Sequence, residues 1–147
     1  MTISRWSALA IALLAASQAC VSPTENCVAP RRITGVWQYS AAQDAPASAS
    51  LTGTLLISTQ TCHDFDGVLD VIEVSGNGQS RRVAGPVSGV LVDSMMARFD
   101  ATLGGDGGAD RQHLARFSAD SVTGTWVEIG AASVLTGRFA GRLQEAR

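Results

Sequence analysis

The sequence predicts an all-β domain of about eight antiparallel strands, arranged as an up-and-down meander that closes into a small barrel. Three observations lead to this prediction. From Ile33 onward, apolar residues recur with a period of two rather than the 3.6 of a helix. Turn-forming pairs such as Asn77-Gly78 and Asp106-Gly107 separate the apolar runs. The chain also has 15 glycines against 4 prolines, which is typical of a chain that turns often.

Residues 1–19 have the three parts of a secretory signal peptide: a positive start, an apolar run and a small-residue cleavage region. These parts are Arg5, Ala8 to Ala16, and Ser17-Gln18-Ala19. The apolar run has about half the ~20 residues that a transmembrane helix needs. We therefore predict an exported bacterial protein. Residues 20–32 would form a tether, and residues 33–147 would form a single barrel domain.

Cys20 follows the predicted cleavage region directly. A cysteine at this position resembles the lipobox of bacterial lipoproteins, in which the thiol is acylated and becomes the mature N-terminus. Ala19 fits that motif, whereas Ser17 stands where the family prefers Leu. The alternative is simple cleavage after Ala19, which would release a free secreted protein. By the sorting rules of lipoproteins, Val21 in place of Asp implies anchoring in an outer membrane.

The cysteine count favours lipidation of Cys20. Three cysteines in an oxidising compartment would leave one thiol unpaired. If Cys20 carries lipid, Cys27 and Cys62 remain as a pair. Cys27 precedes the first predicted strand and Cys62 follows the second, so an antiparallel hairpin would place both at one end. We therefore predict a disulfide between Cys27 and Cys62.

The predicted strands alternate between one buried and one solvated face. In the last strand, for example, Phe139 shares a face with Leu135, and Arg138 lies on the other face. Pro86 cannot donate a ladder hydrogen bond, so we expect its strand to be bulged, split or at an opening in the sheet. A twisted sandwich is the alternative architecture. The predicted strands are 33–40, 50–60, 65–75, 81–92, 95–103, 112–119, 122–129 and 134–144.

A short pattern, apolar-Thr-Gly-x-apolar, recurs along the chain. It occurs in Ile33–Trp37, Leu51–Leu55, Val122–Trp126 and Leu135–Phe139, with close variants in Phe65–Leu69 and Val87–Leu91. In each segment the glycine lies between two apolar residues of the same face. A glycine on the inner face lets a strand bend and leaves space for a neighbour's ring. The pattern therefore favours a curled sheet, which means a barrel.

Gly35-Val36-Trp37 on the first strand resembles the Gly-x-Trp signature of lipocalins, which are calycin-type barrels. The resemblance implies an eight-stranded barrel in which Trp37 plugs the closed end and Arg138 or Arg142 packs across it. It also implies that the loop Ala41–Ser50 acts as a lid over the open end. The segments that end at Trp37 and Trp126 resemble avidin strands as well. The avidin biotin pocket uses more Trp residues than these two, so biotin is not expected.

The residues give little support for catalysis, a metal site or nucleic-acid binding. The formal net charge is -2, and basic residues cluster only in pairs such as Arg81-Arg82. His63 and His113 are the two histidines, and we expect His113 at the surface or rim of the barrel. The run Cys62–Asp66 fits no zinc spacing, and Gly104–Asp110 is expected to be a hairpin loop. We therefore predict no enzymatic activity, no cofactor and no metal.

Two non-enzymatic functions remain. The first, which we favour, is an envelope-tethered module that presents its loops to another protein, for example as an inhibitor of a hydrolase. In the alternative, the barrel carries a small apolar ligand, as a lipocalin does. We favour a packed interior because several large rings must be buried and Tyr39 is the only polar group expected there. The candidate ligand-binding or core residues are Trp37, Tyr39, Phe99, Trp126 and Phe139.

Overall fold

The computed structural model describes residues 27, 29–104, 109–130 and 133–144. The predicted signal peptide, Cys20 and the Asp106-Gly107 turn lie outside the described residues, so they stay predictions. Within these ranges, no helix has the length and apolar character needed to cross a bilayer.

Eight strands form a closed barrel in simple up-and-down order. Each strand pairs antiparallel with the next, and β1 also pairs with β8, which closes the sheet. The predicted fold class is therefore confirmed. The strands are β1 (Gly35–Ala45), β2 (Ala49–Thr61), β3 (Asp64–Ser75), β4 (Ser80–Leu91), β5 (Met96–Leu103), β6 (Ala109–Phe117), β7 (Ser121–Ile129) and β8 (Val134–Leu143).

The prediction that Ala41–Ser50 forms a lid is wrong, because most of that segment is strand. β1 continues to Ala45 and β2 begins at Ala49, so a short connection of residues 46–48 joins them. The two-residue alternation continues through this segment. Ala41 is buried and pairs with Leu51 on one side and Phe139 on the other. Most residues of this stretch are small, so their sequence did not indicate a strand. Pairing with β2 and β8 extends β1 through them.

Pro86 neither bulges nor splits its strand. β4 pairs with β3 in one continuous register from Asp64↔Val90 to Val74↔Ser80. Its register with β5 begins at Val87, the residue after the proline. Pro86 therefore lies beside the start of a ladder, a place that suits a residue without a backbone donor.

The two ends of the barrel differ in chemistry. We call one the disulfide end, because Cys27 and Cys62 form the predicted disulfide there. The chain preceding β1 is also fixed to this end. Gln60 Oε1 accepts a hydrogen bond of 3.0 Å from the Ile33 amide, and Gln60 Nε2 donates to the Arg31 carbonyl at 2.6 Å. We call the opposite end, with the connections after β1, β3, β5 and β7, the far end.

Glycines on the inner wall admit rings from neighbouring strands, as the recurring Thr-Gly pattern predicts. A Cβ atom added to Gly137 would lie 2.5 Å from atoms of the Trp126 ring. One added to Gly124 would lie 2.6 Å from Phe139 Cε1. Each ring therefore occupies the space that a side chain on the paired strand would need. These contacts link the sequence pattern directly to the packing of the barrel interior.

The middle of the barrel is filled by aromatic side chains. Phe99 stacks on the His113 imidazole with ring centroids 4.2 Å apart, and Tyr39 stacks on Phe139 at 5.4 Å. Phe99 and Phe139 meet edge to face at 6.0 Å. A side chain lining a cavity would expose surface to a water molecule inside it, yet these four residues are at most 4% exposed. Any ligand site must therefore lie toward one end of the barrel.

Candidate ligand-binding site

All five candidate residues from the sequence lie on the inner wall and are buried: Trp37, Tyr39, Phe99, Trp126 and Phe139. They do not form one site. Trp37 lies near the disulfide end, where Phe117 packs edge to face against it at 5.2 Å. The other four lie farther along the barrel. A ligand-binding role for these residues stays a prediction.

The prediction that Arg138 or Arg142 packs across Trp37 is wrong. Arg138 is on the outer wall with its side chain 75% exposed, and it pairs with Asp44. Arg142 is also exposed. Both fall on the outward phase of β8, because the inward phase is set by buried Phe139. Instead, Trp37 Nε1 donates a hydrogen bond of 3.0 Å to the Ile33 carbonyl.

The surface or rim position expected for His113 is also wrong. His113 is 3% exposed and lies in the middle of the barrel. Its Nδ1 lies 3.0 Å from the Arg111 carbonyl oxygen, which can only accept, so Nδ1 carries the proton. Nε2 is then the acceptor for the Tyr39 hydroxyl at 3.1 Å. This pair satisfies two polar groups inside an otherwise aromatic layer.

Burial controls the ionisation of both members of this pair. Desolvation lowers the pKa of His113 to about 3, and the nearby Arg111 charge acts in the same direction. Desolvation also raises the pKa of Tyr39 above its usual range. Both groups are therefore neutral at physiological pH. Two neutral groups joined by one hydrogen bond suit a structural role in the core.

A second polar group lies closer to the far end. Arg111 faces inward from β6 and is 2% exposed. Its Nε and Nη2 donate hydrogen bonds of 3.0 and 2.7 Å to Oε2 of Glu128, the residue directly opposite on β7. The guanidinium carbon lies 4.1 Å from the centre of the Trp126 ring, in cation–π geometry. Ion pair and ring together hold the guanidinium in one orientation.

Two buried donors in this group have no acceptor. Arg111 Nη1 and Trp126 Nε1 are both inaccessible to solvent and lack a hydrogen-bond partner. An unsatisfied buried donor costs about 1–3 kcal/mol, so the two together cost roughly 2–6 kcal/mol. Domains of this size are stable by only about 5–15 kcal/mol in total. Such a cost at two adjacent side chains calls for a physical explanation.

A third polar pair, Glu73 with Arg81, adds to the polarity of the far end. Glu73 is buried near the end of β3 and receives hydrogen bonds of 3.1 and 3.2 Å from Arg81 Nη2 on β4. The Arg81 side chain extends into solvent. Among the described residues, the buried charged or titratable side chains Glu73, Arg111 and His113 thus lie in the middle and far half of the barrel. Apolar rings and the disulfide occupy the other end.

Two residues of the Cys62–Asp66 run have structural partners. Cys62 is in the disulfide, and His63 Nδ1 lies 3.0 Å from the Leu91 carbonyl oxygen. Across the ranges that the structure describes, no three His, Cys, Asp or Glu side chains come together as a metal site would require.

Sequence reasoning missed Arg111, Glu128 and the burial of His113. The signal was present in the alternation of β6. Ala115 and Phe117 are apolar and fix the inward phase, and the same phase brings His113 and Arg111 inward. We expected charged residues to face solvent, and this expectation outweighed the period of two.

Together, fold and site define a closed eight-stranded up-and-down barrel with a polar group inside its far end. No protein-family model matches the chain, and none of the curated proteins matches it. Among solved structures, it is similar to the designed protein EF1p2_mFAP2b bound to DFHBI. The TM-score is 0.62, the identity is 14%, and the match covers 76% of this chain and 93% of that one.

Two further designed barrels are similar. The redesigned β-barrel mFAP1, bound to DFHBI, has a TM-score of 0.58 and 13% identity over 74% of this chain and 94% of its own. A de novo designed fluorescence-activating β-barrel has a TM-score of 0.55 and 18% identity over 76% of this chain and 94% of its own. At these identities the comparisons show a shared fold. The architecture implied by the lipocalin resemblance is thus present, and family membership stays a prediction.

Proposed function

We propose that this barrel binds a small molecule at its far end, without catalysing a reaction on it. The observation that carries the proposal is the pair of adjacent buried donors, Arg111 Nη1 and Trp126 Nε1, which lack acceptors. A ligand atom that accepts from both would remove the cost of leaving them unsatisfied. Two designed barrels of the same fold are described as bound to DFHBI, so the architecture is compatible with a small ligand.

The site is confined to the far end, because aromatic rings fill the middle of the barrel. Arg111 is the third residue of β6, so it lies about 7 Å inside the barrel at ~3.3 Å per residue. Leu135 and Glu128, paired across β8 and β7, are the partly exposed inward side chains next to it. Arg111 and Trp126 are each 2% exposed, so a ligand would reach them only after Leu135 changes rotamer, while Glu128 stays paired with Arg111.

A titration with N-phenyl-1-naphthylamine, a neutral probe that fluoresces in apolar sites, tests the proposal. We expect saturable binding with a stoichiometry near one. Leu135→Trp should weaken it at least fivefold, since an inward indole would block the far end. Ile129→Trp is the matched control, because Ile129 lies at the same end but is 71% exposed. Absence of saturable binding, or equal affinity for all three proteins, would contradict the proposal.

The interaction module predicted from the sequence is the second candidate. One observation favours it: a row of outward apolar residues crosses four neighbouring strands. These residues face one another in the register Val36↔Leu56↔Val68↔Pro86 and are all exposed. Photo-crosslinking from position 68 in intact cells should then give one discrete product. Position 100, also on the outer wall, is the control.

The proposed location is the cell envelope, with Cys20 as the lipid anchor. This part of the proposal is supported by the signal-like sequence before Cys20 and by the cysteine count. Cys27 and Cys62 pair with each other, so Cys20 has no cysteine left in this chain to pair with.

A further inference from the structure

We infer that the ligand is a neutral, largely apolar molecule that presents a carbonyl oxygen to Arg111 and Trp126. This inference rests on the proposed function and names the chemical class of the ligand. Two neighbouring side chains each have one buried donor without an acceptor, and this determines what the ligand must present. Arg111 Nη1 and Trp126 Nε1 belong to side chains whose guanidinium and ring lie 4.1 Å apart. A carbonyl oxygen has two lone pairs, so one such atom can accept from two neighbouring donors.

The charge balance of the site favours a neutral ligand over an acid. Glu128 already neutralises the Arg111 guanidinium through two hydrogen bonds. A bound carboxylate would therefore bring an uncompensated negative charge into a desolvated site, and that costs far more than burying a carbonyl group. A cationic ligand would bring a second positive charge beside the Arg111 guanidinium and would leave both free donors without an acceptor. An acceptor without charge is the chemistry that the site fits.

The surrounding side chains make the rest of the ligand apolar. Ala101 lies directly opposite Arg111 on β5, and Leu135 lies opposite Glu128 on β8. On the side of Arg111 that faces the middle of the barrel, the stacked rings of Phe99 and His113 close the site. Tyr39 and His113 satisfy each other and offer the ligand no further polar contact. The carbonyl group would thus enter first, and an apolar remainder would extend toward the far end.

Three probes of one chain length separate the candidate ligand classes: octane, 2-octanone and octanoate at neutral pH. Each is titrated as a competitor of bound N-phenyl-1-naphthylamine. We expect 2-octanone to compete better than octanoate. The informative quantity is the ratio of the octane Kd to the 2-octanone Kd, because it isolates the contribution of the carbonyl group.

In Trp126→Phe this ratio should fall about fivefold, the typical effect of one lost hydrogen bond. Trp37→Phe is the matched control. Trp37 is also a buried tryptophan, but it lies near the disulfide end, and its Nε1 already donates to the Ile33 carbonyl. The ratio should stay at the wild-type value in this control.

Each other outcome has a distinct meaning. An unchanged ratio in Trp126→Phe, or tighter binding of octanoate, would overturn the carbonyl inference and leave the proposed function intact. A crystal structure with 2-octanone in which a buried water bridges both donors would do the same. Failure of N-phenyl-1-naphthylamine to bind the wild type would reject the proposed function itself, and the inference with it.

Discussion

Acid should destabilise this barrel through His113, because the folded state holds the imidazole neutral. The pKa of His113 is lowered from 6.5 to about 3 in the folded protein by burial. Between these two values the unfolded chain binds a proton that the folded chain does not. The free energy of unfolding therefore falls as the pH falls below 6.5, and this loss is complete near pH 3.

The size of the effect follows from the width of this pH range. One proton bound only by the unfolded chain changes the free energy of unfolding by up to about 1.4 kcal/mol per pH unit. Between pH 6 and pH 4, we expect His113 to contribute a loss of about 2–3 kcal/mol. That is a large share of the roughly 5–15 kcal/mol by which most domains are stable.

The variant that isolates this effect replaces both members of the hydrogen-bonded pair. His113→Phe alone would leave the Tyr39 hydroxyl unpartnered, at a cost of about 1–3 kcal/mol. In Tyr39→Phe/His113→Phe both polar side chains disappear and the new ring can still pack against Phe99, while the Arg111 carbonyl loses its side-chain donor. We expect the double variant to lie within about 1.5 kcal/mol of wild type at pH 7 and to be more stable than His113→Phe alone.

Urea unfolding followed by Trp fluorescence at pH 7, 6, 5 and 4 measures the predicted difference. Carboxylates also titrate in this range, so the comparison is between wild type and double variant at each pH. His63→Gln serves as the control, since His63 is exposed near the disulfide end. If wild type and double variant lose stability in parallel as the pH falls, the argument from burial of His113 is wrong.

Three further predictions concern packing and covalent structure. Trp37→Ala should lower the free energy of unfolding by about 3–5 kcal/mol, measured by urea unfolding, because it leaves a cavity near the disulfide end. Replacing Cys27 and Cys62 together by Ser should cost about 3–4 kcal/mol in the chain-entropy model, for a sequence separation of 35; equal stability of the variant and the oxidised wild type would contradict this. Cys20→Ser should move the protein from the membrane fraction to the soluble fraction, and a wild-type N-terminus without lipid by mass spectrometry would reject lipidation.

The architecture was predictable because burial imposes a period of two on every strand. Ala97, Phe99 and Ala101 face inward in β5 as the sequence indicates. The start of β6 was harder, because its first residues follow a glycine-rich loop and carry charges. Pairing with β5 extends β6 back to Ala109, three residues before the predicted start. Strand ends depend on neighbours far away in sequence, and local patterns do not contain that information.

The site was harder to predict than the fold because its residues break the rule that charged side chains face solvent. Buried Arg111 pairs with partly exposed Glu128 because they lie opposite each other on paired strands, and a sequence alone does not give this register. The burial of Trp126 depends on Gly137 in the same way, since the indole occupies the space beside that glycine. Each of these contacts joins two strands.

The distribution of polar groups along the barrel axis links the structure to its proposed function. A barrel that needed only stability would gain little from an ion pair inside, because replacing buried pairs by apolar residues is often neutral or stabilising. At the disulfide end Trp37 packs against Phe117, and its Nε1 donates to the Ile33 carbonyl, so the indole there has its hydrogen-bond partner. At the far end the chain places Arg111 against Trp126 and leaves two donors without acceptors. This contrast between two ends of one barrel favours recognition of a ligand as the reason for the buried charge.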